Sequence, residues 1–379
     1  MESFMATPFS KNKLSPEAKK LMNFLQENYG KKIISGQMTC TWNYNVDCLE
    51  LVHRDTGKYP LIAGFDLMNM ANALPEPVLN EKGEILGRDG KYHQRHGHLE
   101  LEKAEAWHKK DGIVTFCWHW YVTDRNGKTS FYAHNENGWE TDFRIPYDTE
   151  KSDPKNDIYL LDENTVEFKQ LKTGAEKAAG YLTVLKDKHI PVLWRPLHEA
   201  SGTWFWWGCG NKEGKYKNES FIALWRWLQD FFNQKGLDNL IWVYNGQDKN
   251  LYPGDEYCDI ISEDIYASGN GKTDLSSQLP RFQSAASCQE NSSAPKKIIS
   301  LSETGTIPEI DRCFKDGATW SWFMVWNDCR FENNNPVGDE GNFWSGELHN
   351  PLEHRIKVYN DERVLTMHNS QCIIHNSQD

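Results

Sequence analysis

Positive charge is in short supply in this sequence: 42 Lys and Arg stand against 54 Asp and Glu, for a formal charge of −12. Nucleic-acid binding is disfavoured, because neutralising phosphates takes a basic excess gathered on one face. Long hydrophobic runs are missing too. The longest near-apolar stretch, Gly112 to Val122, falls well short of the roughly 18 residues that a membrane span needs, and mean hydropathy is −0.72. A soluble protein with no membrane partner is expected. The opening Met-Glu-Ser-Phe-Met-Ala-Thr-Pro has no basic segment followed by an apolar core, so no secretory signal is visible.

The nine cysteines, spread from Cys40 to Cys372, include no C-x-x-C pair, which argues against a zinc ribbon or a thioredoxin-type motif. No G-x-S-x-G elbow occurs, which removes the usual serine hydrolase signature. Gly271-Lys272-Thr273 imitates the end of a phosphate loop, but Tyr266 stands where the leading glycine is required. His93, His96 and His98 invite a metal; three cations crowd the same polar loop, so it reads as solvated or as a substrate rim. No metal and no cofactor are called for. Neither a Pro/Ser-rich linker nor a solenoid repeat divides the chain.

What is present is a recurring order of buried run, polar loop and helical pattern. Eight runs stand out: Lys32–Met38, Tyr59–Leu67, Gly112–Trp120, Ile190–Glu199, Asn239–Gly246, Cys258–Tyr266, Lys296–Glu303 and Ser321–Asp328. Most are apolar on successive residues, as strands buried on both faces are. Helical spacing marks Pro16–Glu27, His98–Lys110, Val166–Lys188, Phe221–Gln234, Ser276–Ser287, Ile307–Lys315 and Pro351–Tyr359. Eight strands alternating with helices predict a single (β/α)8 barrel, a TIM barrel of class α/β, over residues 1–365; an open doubly wound sheet is the competitor. Residues 366–379, with His-Asn-Ser-Gln at both His368 and His375, read as a disordered or artificial tail. The long loops all follow the C-terminal ends of strands, where this fold builds active sites.

Aromatic residues make up 13% of the chain, with 16 Trp. That is more than core packing demands, and it predicts a ligand that also presents flat apolar faces. Trp225, Trp227 and Trp242 read as core, whereas Trp206 and Trp207 are balanced between packing and ligand contact.

The fourth run ends Arg195-Pro196-Leu197-His198-Glu199 and the seventh ends Ser302-Glu303-Thr304-Gly305. Each puts a glutamate where a buried strand gives out at one barrel face. Two such carboxylates are what glycosidic cleavage requires: one protonates the leaving oxygen, the other stabilises or traps the oxocarbenium-like centre. Taken singly, a strand-end glutamate is more often a solvated cap or an arginine partner. Here each sits in an apolar or aromatic segment where an unpaired charge is costly.

These motifs, together with the following Trp204-Phe205-Trp206-Trp207-Gly208, Asp264-Ile265-Tyr266, Val114 to Trp120 and Trp322-Phe-Met-Val-Trp326, resemble glycoside hydrolase family 26 from about Ile34 to Leu365. The resemblance implies a (β/α)8 endo-β-1,4-mannanase with Glu199 as acid/base and Glu303 as nucleophile, retaining the anomeric configuration. It further implies that His119, His198, Trp204 and Trp326 line the cleavage subsite and that Tyr266 holds Glu303. Arg195 and Asp264 are expected to support the carboxylates from behind. The implied partner is β-mannan or glucomannan, met by a monomer in a secreted, extracellular setting; sequons at Asn218 and Asn291 are compatible with that. The same chemistry on mixed-linkage glucan or β-1,3-xylan, an exo-acting mannobiohydrolase and a non-catalytic carbohydrate-binding barrel are the rival readings. Loops Tyr121–Asn164 and Arg330–Ser345 match no family pattern, so distal subsites are not specified.

Overall fold

The structure is a computed structural model that describes residues 11–41, 46–69, 99–133, 138–209, 218–268 and 271–370, and the backbone of 85–86 and 92–93. Eight parallel strands, β1 Ile33–Met38, β2 Ile62–Asp66, β3 Ile113–Trp118, β4 Val192–Pro196, β5 Leu240–Tyr244, β6 Ile260–Ile265, β7 Ile298–Thr304 and β8 Trp322–Val325, pair in chain order. Ile34 of β1 pairs with Trp322 of β8, which closes the sheet into a barrel. All eight coincide with the runs expected from sequence. They are buried almost throughout, because the barrel interior lies on one face and helices on the other.

The helices are α1 Pro16–Asn28, α2 Cys48–Thr56, α3 Leu99–His108, α4 Val166–Asp187, α5 Asn218–Gln234, α6 Leu279–Ser287, α7 Ile310–Asp316 and α8 Leu352–Asn360. Seven of them meet an expected segment; α2 was missed. It is short and mostly polar, but Asp47 caps it by accepting the N–H groups of Leu49 and Glu50, and Gly57 ends it with a left-handed backbone. The β5–β6 connection holds two 3-10 turns, Lys249–Leu251 and Asp255–Tyr257, and no α-helix.

Two apolar layers follow from the alternation of side chains. Ile34, Ile62, Ile113, Leu193, Ile241, Ile260, Ile298 and Met324 fill the barrel, and Leu14, Ala18, Leu21 and Leu25 from α1 and its lead-in belong to the same cluster. Helix α1 therefore plugs the end of the barrel where the strands begin. A short strand, β9 Val364–Leu365, pairs with Ile33 and Ile34 at that end. Thr366 to Ser370 continue in a turn whose Met367 N–H donates to Tyr59 O; residues 371–379 lie outside the described residues.

The reading of the tryptophan excess as a ligand signal needs correction. Trp118, Trp120, Trp194, Trp206, Trp207, Trp225, Trp242, Trp320, Trp322 and Trp344 are all fully buried. Several solve their polarity by donating to main-chain carbonyls: Trp206 to Trp120 O, Trp207 to His198 O, Trp225 to Tyr257 O and Trp320 to Ser277 O. A satisfied indole is as good a core residue as any large apolar group.

Candidate active site

Pro196 ends β4, since it has no N–H to extend the ladder. The chain then turns through Leu197 and Glu199, both with left-handed backbones (φ 51° and 55°) that side-chain-bearing residues rarely adopt. A clamp holds this turn: the Glu199 N–H donates to Asn245 O at 2.7 Å and to Asn245 Oδ1 at 2.9 Å, just beyond β5. Asn245 in turn donates to Asp264 Oδ1 and Ser262 Oγ. On the other side the β6–β7 register shifts, so that Asp264 comes to pair with Glu303. Such an irregularity re-aims a side chain at a strand end.

The two glutamates and Asp264 converge. One oxygen from each lies within 4.8 Å of the others. Beneath them the buried Arg195 donates Nη1–H to Asp264 Oδ2 at 2.8 Å and Nη2–H to Glu303 Oε1. The second Glu303 oxygen accepts the Tyr266 hydroxyl at 2.6 Å. Glu199 Oε2 accepts the Trp204 indole N–H at 2.7 Å. Burial, and after it the negative charge of Glu303, raise Glu199 to about 7, against the pull of the Trp204 bond. One carboxyl is thus matched by two donors, and its neighbour keeps a proton near neutrality. Environments that divide a pair in this way assign one base and one acid.

Both glutamates open on a cavity of about 520 Å3 at the C-terminal end of the barrel. His119, His198, Trp204, Tyr266 and Trp326 also line it, so the structure gathers these expected residues in one place. Arg195 and Asp264 lie below, in contact with Glu303 and Asn245 rather than with the cavity. His198 is buried beside Glu199; burial, then the charges of Arg195 and His119, push it well below its usual range, leaving it a neutral ring. Trp206 and Trp207 do not reach the cavity: both are fully buried, and Trp207 holds the His198 carbonyl from behind.

Sequence reasoning missed several lining groups. Asp66 ends β2 and meets His119 Nδ1 at 2.5 Å; as an acid closing a buried strand it carried the same signal as the two glutamates. Phe131 and Tyr132 follow a hairpin of Val122–Thr123 with Thr129–Ser130, and Tyr132 stacks on Phe205 at 6.0 Å. Nothing local in that loop's sequence revealed where it folds. His93, His96 and His98 cannot be placed, since their side chains lie outside the described residues.

Among the described residues two triads bring three possible metal ligands within 4.8 Å of one another: Glu199 with Asp264 and Glu303, and Asp66 with Cys117 and His119. In the first, Arg195 already supplies a cation between two of the carboxylates. In the second, the His119 nitrogen is engaged by Asp66.

Comparison with known proteins gives the family and the fold. Residues 11–340 match the model of glycosyl hydrolase family 26. A mannan endo-1,4-beta-mannosidase of Thermothelomyces thermophilus is 32% identical over 317 residues, covering 83% of this chain and 56% of its own. Mannan endo-1,4-beta-mannosidase B of Piromyces is 31% identical over 321 residues, covering 83% and 47%. The chain thus spans about half the length of the curated relatives it matches. Among solved structures, a beta-mannanase from a symbiotic protist of the termite Reticulitermes speratus, complexed with gluco-manno-oligosaccharide, superposes with a TM-score of 0.71 at 29% identity, over 96% of this chain and 97% of that one. The GH26-CBM35 beta-(1,4)-mannanase of Podospora anserina gives 0.70 at 29% identity, over 98% and 70%. The chain belongs to glycosyl hydrolase family 26.

Proposed function

We propose that this protein is a retaining endo-β-1,4-mannanase acting on mannan or glucomannan. The observation that carries the reading is the approach of Glu199 and Glu303 oxygens to within 4.8 Å. Carboxyls spaced by about 5–5.5 Å leave no room for a water between catalyst and sugar, which is the retaining arrangement; inverting pairs stand roughly 6.5–9.5 Å apart.

Glu199, protonated near neutral pH, gives its proton to the departing glycosidic oxygen as Glu303 attacks the anomeric carbon. Tyr266 and Arg195 keep the two Glu303 oxygens in place before attack. The negative charge leaves Glu303 when the glycosyl bond forms, and Glu199 then takes a proton from the water that releases the sugar. Trp326 and Trp204 supply plates for the apolar faces of the sugar, and His198 is the reader of the axial 2-hydroxyl that distinguishes mannose. An extracellular place of work goes with this reading, since a polysaccharide does not cross a membrane unaided.

The test is hydrolysis of mannohexaose followed by proton NMR. Newly formed reducing ends should appear first as the β-anomer and internal bonds should break early. Initial α-anomer, or cleavage of cello-oligosaccharides in preference, would overturn the reading. Release of mannobiose alone from chain ends would replace endo by exo action.

A further inference from the structure

Asp66 does two things to one residue. Its Oδ1 accepts the His119 main-chain N–H at 3.1 Å and the Met68 N–H at 2.9 Å, while Oδ2 takes the ring Nδ1 of His119 at 2.5 Å. Backbone and ring of His119 are fixed by a single buried carboxylate. With Nδ1 engaged, Nε2 is the polar ring atom left to meet a ligand, and the ring lines the cavity.

The charged groups that face this ring are Asp66 from β2, Glu199 from beyond β4 and Glu303 from β7. His198, 4.8 Å away and nearly perpendicular, is neutral. Cys117, in the same cluster, is kept a thiol chiefly by its burial. Burial works to lower His119, but the charge and hydrogen bond of Asp66, joined by the charges of Glu303 and Glu199, together hold the ring above its ordinary range.

We propose that Asp66 is a positioning residue for the hydrolysis: it fixes the backbone and ring of His119 on the cavity wall, so that Nε2 is presented as a donor in the cavity that Glu199 also lines. The proposal rests on the assignment of Glu199 and Glu303 as the reacting pair. A cation there favours the ionised form of Glu199 and works against burial and Glu303. Asp66 therefore tunes the acid/base without touching the sugar bond, while Nε2–H donates to a sugar hydroxyl. Of the two imidazoles that line the cavity among the described residues, one is held by a buried carboxylate and the other is a neutral ring.

The experiment pairs NMR with kinetics on the whole chain. Asp66→Asn keeps the shape and an oxygen for the two main-chain donors but removes the charge. In protein labelled with 15N-histidine, the His119 ring should carry two protons at pH 7 in the wild type and one in Asp66→Asn. On soluble mannan, kcat/KM of Asp66→Asn should fall roughly 10- to 100-fold, by analogy with the loss of carboxylates that orient metal-ligating histidines. The basic limb of its pH profile should move upward, because Glu199 loses a neighbouring cation. Asp66→Asn combined with His119→Gln should be no slower than His119→Gln alone. A wild-type His119 already neutral at pH 6, an unmoved basic limb, or losses that simply multiply in the double variant would each overturn the proposal. Should the wild type release no sugar from mannan, the functional reading falls, while the ring titration still decides whether Asp66 holds the second proton on His119.

Discussion

The indole N–H of Trp204 donates to Glu199 Oε2 at 2.7 Å, from a side chain that is 42% exposed. A ring expected to serve the sugar is thus also tied to the acid. This bond favours the ionised carboxyl, opposing the burial that lifts Glu199 to about 7. With Glu199 as the proposed acid, kcat/KM of the wild type should fall as pH rises through about 7. In Trp204→Phe the opposing bond is lost, so the basic limb should shift to higher pH; a limb that stays or moves down would show that Glu199 does not set it.

The same elevation has a stability sign. Folding lifts Glu199 from an ordinary 4.5 to about 7, so the folded state favours the protonated form. That advantage is complete in acid and is lost as pH rises through about 7, above which the buried anion weighs against folding. Glu199→Gln should therefore be more stable than wild type by about 1–3 kcal/mol at pH 8 and nearly equal to it at pH 4, read as thermal midpoints at the two pH values. Equal midpoints at pH 8 would count against a buried, uncompensated anion.

Tyr266 offers a cleaner cut into the reaction. Its hydroxyl meets Glu303 at 2.6 Å while its ring packs on Phe343 with centroids 5.0 Å apart. Tyr266→Phe keeps the ring and loses the donor. The expected result is a fall in kcat of about 10^2- to 10^3-fold, the usual cost of one aimed donor, with little change in thermal midpoint. Wild-type kcat in this variant would remove Tyr266 from the account.

Arg195 is a matter of folding as much as of chemistry. Its guanidinium lies between the carboxyls of Asp264 and Glu303, all three nearly inaccessible to solvent. Arg195→Met fills similar space but leaves two adjacent acids without a counter-charge, a loss of about 3–5 kcal/mol near neutral pH. The deficit should shrink in acid, where the orphaned carboxyls take up protons. Denaturant titrations at pH 4.5 and 7.5 would measure it; a deficit that is independent of pH would point to packing instead.

The barrel was legible because strands covered on both faces leave uninterrupted apolar runs, and all eight appear as such. Helix α2 was not, because it is only nine residues long: Cys48, Leu49, Val52 and Thr56 do fall on one face, but over too short a stretch to stand out without its Asp47 cap and Gly57 stop. The residues that gather at the cavity were readable wherever an ionisable side chain closed a buried strand, as with Glu199 and Glu303. Asp66 bore the same mark and was passed over. Phe131 and Tyr132 could not have been placed, because a loop's position depends on contacts with distant chain, here the Phe205 ring. Most of the tryptophans proved to be core, several of them by donating to main-chain carbonyls, and only Trp204 and Trp326 among the described residues line the cavity, a division that composition does not reveal.

Helix α1 stops the barrel at the end where the strands start. At that same end residues 11–15 meet the starts of β5 and β6, and β9 leaves along the start of β1. Among the described residues, the cavity that holds Glu199 and Glu303 lies at the other end of the barrel from both of these chain passages. A module joined ahead of residue 11 or beyond residue 370 would therefore be tethered at the closed end of the barrel, away from the cavity mouth.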